Sequence, residues 1–279
     1  MEQHADRRSA STKGSTIAVD GVPLYYELVG AGASAPRVAM LHGLGMDTSM
    51  WRAVENELRS DASILLCDLR GHGKSPLGDV GRFTPEGCTE DLWCVLDAVG
   101  WKDAVLVGWS LGGVIAAQAA ATHPSRTGGL VLVSTTAAYG PGGAVFWSGL
   151  ADMARNAGLD AVALGLVGRW FSDTFSAARE EEVRHLRRTF AATPIAAFDA
   201  ACAVLGGLDQ RSLLPMIEAP TEVVVGSDDP ATTPAMAAEL VESINHAQLT
   251  EISGARHLVP VERPHEVAAS VRAVIERTR

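Results

Sequence analysis

Basic charge is in short supply: the chain has 23 Lys and Arg against 33 Asp and Glu, a formal net charge of −10. Nucleic acid is therefore not an expected partner, because phosphate binding needs a basic footprint. Cysteine is also scarce. None of Cys67, Cys88, Cys94 and Cys202 forms a CxxC pair, and no His/Cys cluster has zinc spacing. Cys67 falls in an apolar run and Cys88 and Cys94 in a helical one, so the thiols read as reduced core groups of a cytosolic protein. The opening MEQHADRRSASTKGST has no apolar h-region, so no signal peptide is expected. No run approaches the roughly 18 apolar residues that span a bilayer, so no membrane partner is expected either. Low-complexity sequence is absent apart from Ala-rich stretches that read as helix.

What is present is apolar. The 279 residues are 47% hydrophobic, and a chain of this length buries roughly three quarters of its unfolded surface, enough for one large core. Residues 1–14 read as a disordered tail. Residues 16–19 and 24–29 alternate like two strands around the turn Asp20-Gly21, the pattern of a hairpin. Apolar strands are expected at 38–41, 63–67, 104–109, 130–133, 221–225 and 248–252. Helices are expected at 51–58, from Pro85 to about Val99 with Thr84 as N-cap, and at 111–122, 234–244 and 264–277. Apolar strands without polar alternation, separated by helices, indicate a mostly parallel sheet covered on both faces. The rhythm breaks after Ser134. Residues 139–214 have helical periodicity only, with one helix carrying Leu159, Val162, Leu166 and Trp170, and others carrying Phe190, Ile195, Phe198 and Cys202. The organisation read from this is an α/β core of residues 15–138 and 215–279, with a helical cap of 139–214 inserted between strands.

Gly108-Trp109-Ser110-Leu111-Gly112 fits G-x-S-x-G. The string alone is weak, but here it closes an apolar strand and opens a helix, the setting in which a serine projects from a sharp turn. Bulky flanking residues would collide there, hence the glycines. Such a serine needs a base, and the base an orienting carboxylate. In this fold class the chain order is Ser, acid, His. Of the histidines after Ser110, His185 lies in a charged helix, His246 in a turn before a strand, and His265 at the start of the last helix. His257 follows a strand on a loop and is the candidate base. Both Asp228 and Asp229 end strand 221–225, where ligand-site residues of open α/β sheets gather. His42-Gly43-Leu44-Gly45 follows an early strand, where this fold supplies an oxyanion donor, making the amides of Leu44 and Leu111 the candidate pair. His42 and His72 read as loop-shaping residues.

Taken together, these residues resemble the α/β-hydrolase superfamily over 16–279, and in particular the 3-oxoadipate enol-lactonases. The likeness rests on Leu24-Tyr25-Tyr26-Glu27, Ser49-Met50-Trp51, Asp68-x-Arg70-Gly71-His72-Gly73-x-Ser75, Thr135-Thr136-Ala137-Ala138, Arg169-Trp170-Phe171, Asp209-x-Arg211, His257-Leu258 and Glu262-x-Pro264. Gly226-x-x-Asp229-Pro230-Ala231-Thr232 resembles that group's acid loop, which implies Asp229 rather than Asp228 as the orienting carboxylate. Three positions depart from the group: His42-Gly43 stands for Asn-Ser, Tyr139 for a Lys or Arg, and Ala197-Phe198 for Gly-Tyr.

The resemblance implies a serine hydrolase of a small-molecule ester or lactone that works through an acyl-enzyme without metal or organic cofactor. Its substrate contacts are expected among Trp109, Tyr139, Trp147, Arg169 and Trp170. An anionic lactone would want a cation near the cap, with Arg169, Arg187, Arg188 and Arg211 as candidates. A homodimer is compatible with the sequence. Haloalkane dehalogenases and epoxide hydrolases need a carboxylate at position 110, so Ser110 counts against both. A carbon–carbon bond hydrolase, a cofactor-independent haloperoxidase, and a non-catalytic small-molecule receptor on the same scaffold stay open.

Overall fold

The computed structural model describes residues 14–278. It opens with a hairpin of β1 (Gly14–Val19) and β2 (Val22–Gly30). Asp20 and Gly21 both take positive φ, 50° and 80°, as a two-residue turn matched to strand twist requires. Six further strands follow: β3 (Arg37–Leu41), β4 (Ser63–Cys67), β5 (Ala104–Trp109), β6 (Thr127–Val133), β7 (Thr221–Gly226) and β8 (Gln248–Ile252). One sheet holds all eight, in the order β1-β2-β4-β3-β5-β6-β7-β8. β2 pairs antiparallel with both β1 and β4, and every other pairing is parallel. The chain is therefore an α/β protein with a mostly parallel sheet.

Both faces are covered by helices. α1 (Arg52–Leu58), α2 (Pro85–Ala98) and α3 (Leu111–Thr122) come before the break in rhythm. The Thr84 hydroxyl accepts the Gly87 amide at 3.0 Å and Pro85 opens α2, satisfying one of the free amides of the first turn. Between β6 and β7 come five helices, α4 (Gly143–Ala157), α5 (Leu159–Trp170), α6 (Asp173–Ala178), α7 (Glu180–Ala191) and α8 (Ile195–Gly206), with no strand among them. The chain then adds α9 (Pro234–Ser243), the single turn α10 (Val259–Glu262) and α11 (Pro264–Arg277). α3 and α11 each lie against β5 and β6, α2 packs on α3, and α1 on α11. With helices on both sides, β3, β4, β5 and β7 are buried almost throughout, whereas edge strand β8 buries only Ile252.

Several expectations need correction. Gly14 belongs to β1, so the tail does not extend to it; residues 1–13 lie outside the described residues. α10 is an addition to the expected elements, because four residues are too few to show a period. Cys67, Cys88 and Cys202 are buried, but Cys94 is exposed. Six positions along α2 from Cys88, it falls well round the helix at 3.6 residues per turn. Among the described residues no single helix is long and apolar enough to cross a membrane.

Candidate active site

β5 and α3 meet at Ser110, whose φ of 53° and ψ of −117° lie where side chains are rarely tolerated. The surrounding glycines make that turn feasible. A Cβ on Gly108 would come within 2.3 Å of the Gly112 carbonyl oxygen, and one on Gly112 within 2.2 Å of the Leu41 oxygen. One on Gly113 would run into the Thr135 side chain at 2.6 Å. The Ser110 amide donates to the Val133 oxygen at 3.0 Å, and the Thr135 hydroxyl donates to the Ser110 oxygen at 2.8 Å. The turn is thus pinned to the end of β6.

The ends of β7 and β8 bring the other two groups. His257 Nε2 lies 3.3 Å from Ser110 Oγ, and His257 Nδ1 lies 2.9 Å from Asp229 Oδ2. Ser110, Asp229 and His257 are 8%, 3% and 7% exposed, so the three polar groups meet away from bulk water. Asp228 points elsewhere: it is exposed and accepts the Ser227 hydroxyl. The Asp229 carboxylate is fully engaged. Oδ1 accepts the Ala231 and Thr232 amides at 2.8 and 3.0 Å, and Oδ2 accepts the Thr232 hydroxyl at 2.8 Å. Burial works to raise the Asp229 pKa, but the facing His257 and these amides outweigh it, leaving the carboxyl below its usual range.

Much of what holds His257 in place is not legible from the sequence. Its amide donates to the Arg169 oxygen at 3.3 Å, and the Leu258 amide to the Trp170 oxygen at 2.9 Å. The Trp109 indole N–H donates to the His257 oxygen at 2.8 Å. The Arg256 guanidinium donates to the Gly168 and Phe171 oxygens at 2.6 and 3.0 Å, a cation on the carbonyls that end α5. Buried Glu262 accepts the Ser172 hydroxyl and the Arg256 amide. The histidine loop and the end of α5 are thereby stitched together.

His42 and His72 act on loops, as expected. His42 Nε2 accepts the Leu69 amide at 2.9 Å, so its Nδ1 carries the proton and donates to the Gly43 oxygen at 2.8 Å. His72 Nδ1 lies 3.2 Å from the Arg70 oxygen, and the two rings stand 5.3 Å apart. Burial lowers the pKa of both, that of His72 to about 3. Asp68 braces the same region, accepting the Thr48 and Lys74 amides at 2.8 Å each, while Arg70 grips Asp91 with two 2.6 Å bonds.

Ser110 and His257 open onto a cavity of about 230 Å³ walled by both the core and the inserted helices. All five expected contact residues, Trp109, Tyr139, Trp147, Arg169 and Trp170, line it, together with Leu44, Phe146, Leu150, Leu166 and Phe190. Leu111 does not line it; its amide begins α3 directly after Ser110. Burial raises the Tyr139 phenol well above its usual range, with Asp229 adding to the effect. Of the candidate cations only Arg169 reaches the cavity. Arg187, Arg188 and Arg211 instead pair on the surface with Asp160, Glu181 and Asp209. One Arg169 nitrogen donates to the Pro230 oxygen at 2.8 Å, and among the described residues no carboxylate lies within ion-pairing distance of it. Ala197 and Phe198 are buried and do not line the cavity; Phe198 packs behind Phe190 at 5.6 Å.

The family described as alpha/beta hydrolase fold matches residues 36–264. The chain belongs to the α/β-hydrolase family. This hydrolase is 30% identical over 262 residues to 3-oxoadipate enol-lactonase 2 of Acinetobacter baylyi, covering 94% of the chain and 96% of that protein. Its fold superposes on the crystal structure of the enol-lactonase from Burkholderia xenovorans with a TM-score of 0.88 at 29% identity, covering 94% and 99% of the two chains. A thermophilic esterase from Thermogutta terrifontis gives 0.85 at 28% identity, covering 96% and 99%. Relatives of this hydrolase thus include both lactonases and esterases.

Proposed function

We propose that this hydrolase cleaves a carboxylic ester or lactone through an acyl-enzyme on Ser110, with 3-oxoadipate enol-lactonase-like chemistry as the specific reading. The observation that carries it is the line of contacts from Ser110 Oγ through His257 to Asp229, 3.3 and 2.9 Å, opening onto a largely apolar cavity. His257 takes the hydroxyl proton as Ser110 attacks the carbonyl. Asp229 holds the Nδ1 proton and stabilises the imidazolium. The Leu44 and Leu111 amides receive the oxyanion, each contributing about 3–4 kcal/mol to the transition state. His257 then protonates the leaving oxygen, and water repeats the sequence on the acyl-enzyme.

The aromatic walls suit the carbon skeleton of a small substrate, and Arg169 offers a cation to a carboxylate on it. The similarity to the Acinetobacter baylyi and Burkholderia xenovorans enol-lactonases supports the lactone. The test is p-nitrophenyl acetate turnover by the wild type and by Ser110→Ala, followed by enol-lactone turnover. Ser110-dependent turnover of both is expected. Equal rates in the two proteins would end the Ser110 assignment, and carbon–carbon cleavage without lactone turnover would replace the lactonase reading.

A further inference from the structure

Thr232 is 1% exposed and lies three residues beyond Asp229. Its hydroxyl is 2.8 Å from Asp229 Oδ2 and 3.2 Å from His257 Nδ1. An ionised carboxylate can only accept, so the hydroxyl proton lies on the Asp229 side and an oxygen lone pair is left toward the imidazole. The two backbone amides serve Oδ1. The hydroxyl therefore shares with His257 the one carboxylate oxygen on which the imidazole rests.

Building on the acyl-transfer reading, we infer that Thr232 is a positioning residue that tunes His257 as a base through Asp229 Oδ2. A donor on Oδ2 draws negative charge away from the oxygen that steadies the imidazolium, so His257 gives up its proton more readily. The same hydroxyl fixes the rotation of the carboxylate and, with it, the aim of Nε2 at Ser110. The shorter, charge-assisted bond to Asp229 outweighs the longer contact to the ring, which sets the sign: removing the hydroxyl strengthens the hold of Asp229 on the imidazolium. The other charged and titratable groups around His257 are Tyr139 and Arg169 across the cavity, Arg256 on its own loop and Glu262 at the end of α10, and the variants leave all four unchanged.

Thr232→Val keeps the shape and removes the hydroxyl; Thr232→Ser keeps the hydroxyl. The readout is the rate at which a fluorophosphonate labels Ser110 as a function of pH, where the Ser110 Oγ–P bond forms, fluoride leaves and His257 takes the proton. In Thr232→Val the rate falls about fivefold at neutral pH and its acid limb moves up by about half a pH unit, with Thr232→Ser close to wild type. Should the valine variant fail to fold, Thr232→Ala against Thr232→Ser isolates the same hydroxyl. Superimposable profiles for the hydroxyl-bearing and hydroxyl-free variants, or a loss that serine does not restore, would overturn the role of Thr232 while leaving the reading beneath it intact. No labelling of Ser110 in the wild type would sink that reading and Thr232 with it.

Discussion

The proposed nucleophile, Ser110, and the proposed base, His257, are held by different means. Ser110 is placed locally, at a strained turn between adjacent elements that the Val133 oxygen and the Thr135 hydroxyl pin to the end of β6, with neighbouring positions closed to any Cβ by carbonyl oxygens just over 2 Å away. His257 is placed by distant side chains and by the inserted helices: the Arg169 and Trp170 oxygens, the Trp109 indole, and the Arg256 and Glu262 contacts with the end of α5. The lesson is that the core by itself builds the Ser110 turn, whereas the loop carrying His257 is tied to the end of α5. Disturbing α5 should therefore weaken the base without moving the serine.

The largest effect tests what the two halves share. Ser110→Ala and His257→Ala are each expected to lower kcat by about 10⁶-fold, and the double variant by hardly more, because residues that act as a unit do not add. Steady-state kinetics on p-nitrophenyl acetate measures this. Asp229→Asn should cost about 10⁴-fold in kcat by presenting the wrong imidazole tautomer. Because the folded-state pKa of Asp229 is depressed, its stabilising contribution is present above the unfolded value, about 3.9, and is lost as pH falls through the lower folded value. Urea unfolding across that range should show a weaker acid dependence in Asp229→Asn.

Next come two variants that separate the halves. Gly112→Ala sets a Cβ 2.2 Å from the Leu41 oxygen and should lower stability by about 2–3 kcal/mol while disrupting the elbow itself. Arg256→Met removes the guanidinium bonds to the Gly168 and Phe171 oxygens, loosening the end of α5 from the histidine loop, and should lower kcat by about 10- to 100-fold through misplacement of His257, with the elbow intact. Urea melts alongside kcat measurements distinguish them. If Arg256→Met left kcat unchanged, the coupling of base to insertion would be broken as an idea.

How much of the molecule is legible in its sequence follows the same division. The elbow is legible because its determinants are contiguous: an apolar strand, Gly108, Ser110, Gly112 and a small-residue helix. His257 can be chosen by its place after a strand. Asp229 can be separated from Asp228 only by likeness to a family acid loop, since both end the same strand. The supports of the base are not legible. Glu262 meets Ser172 across 90 residues, and Trp109 meets the His257 oxygen across 148; no local pattern encodes such pairs. Cys94 is exposed against expectation because a run of helical residues locates the segment, while only the phase of the turn decides which way one side chain faces.

The smallest effect lies in the loop after β4, where the His72 ring stands 5.3 Å from that of His42. His72 is held neutral by burial, its pKa lowered from 6.5 to about 3. The unfolded chain takes up a proton below about 6.5 and the folded one does not, so stability falls as pH drops from 6.5 toward 3. The slope is at most about 1.4 kcal/mol per pH unit for that group. His72→Gln should flatten the dependence in urea melts between pH 7 and 5.

The central claim is that a covalent acyl group passes through Ser110. Peptide mass spectrometry on wild-type protein acid-quenched during p-nitrophenyl acetate turnover tests it most directly. An acetyl group confined to the peptide carrying Ser110, and absent after quenching Ser110→Ala, is the result expected. Acetyl on another residue, or turnover with no adduct on Ser110 at any quench time, would contradict it.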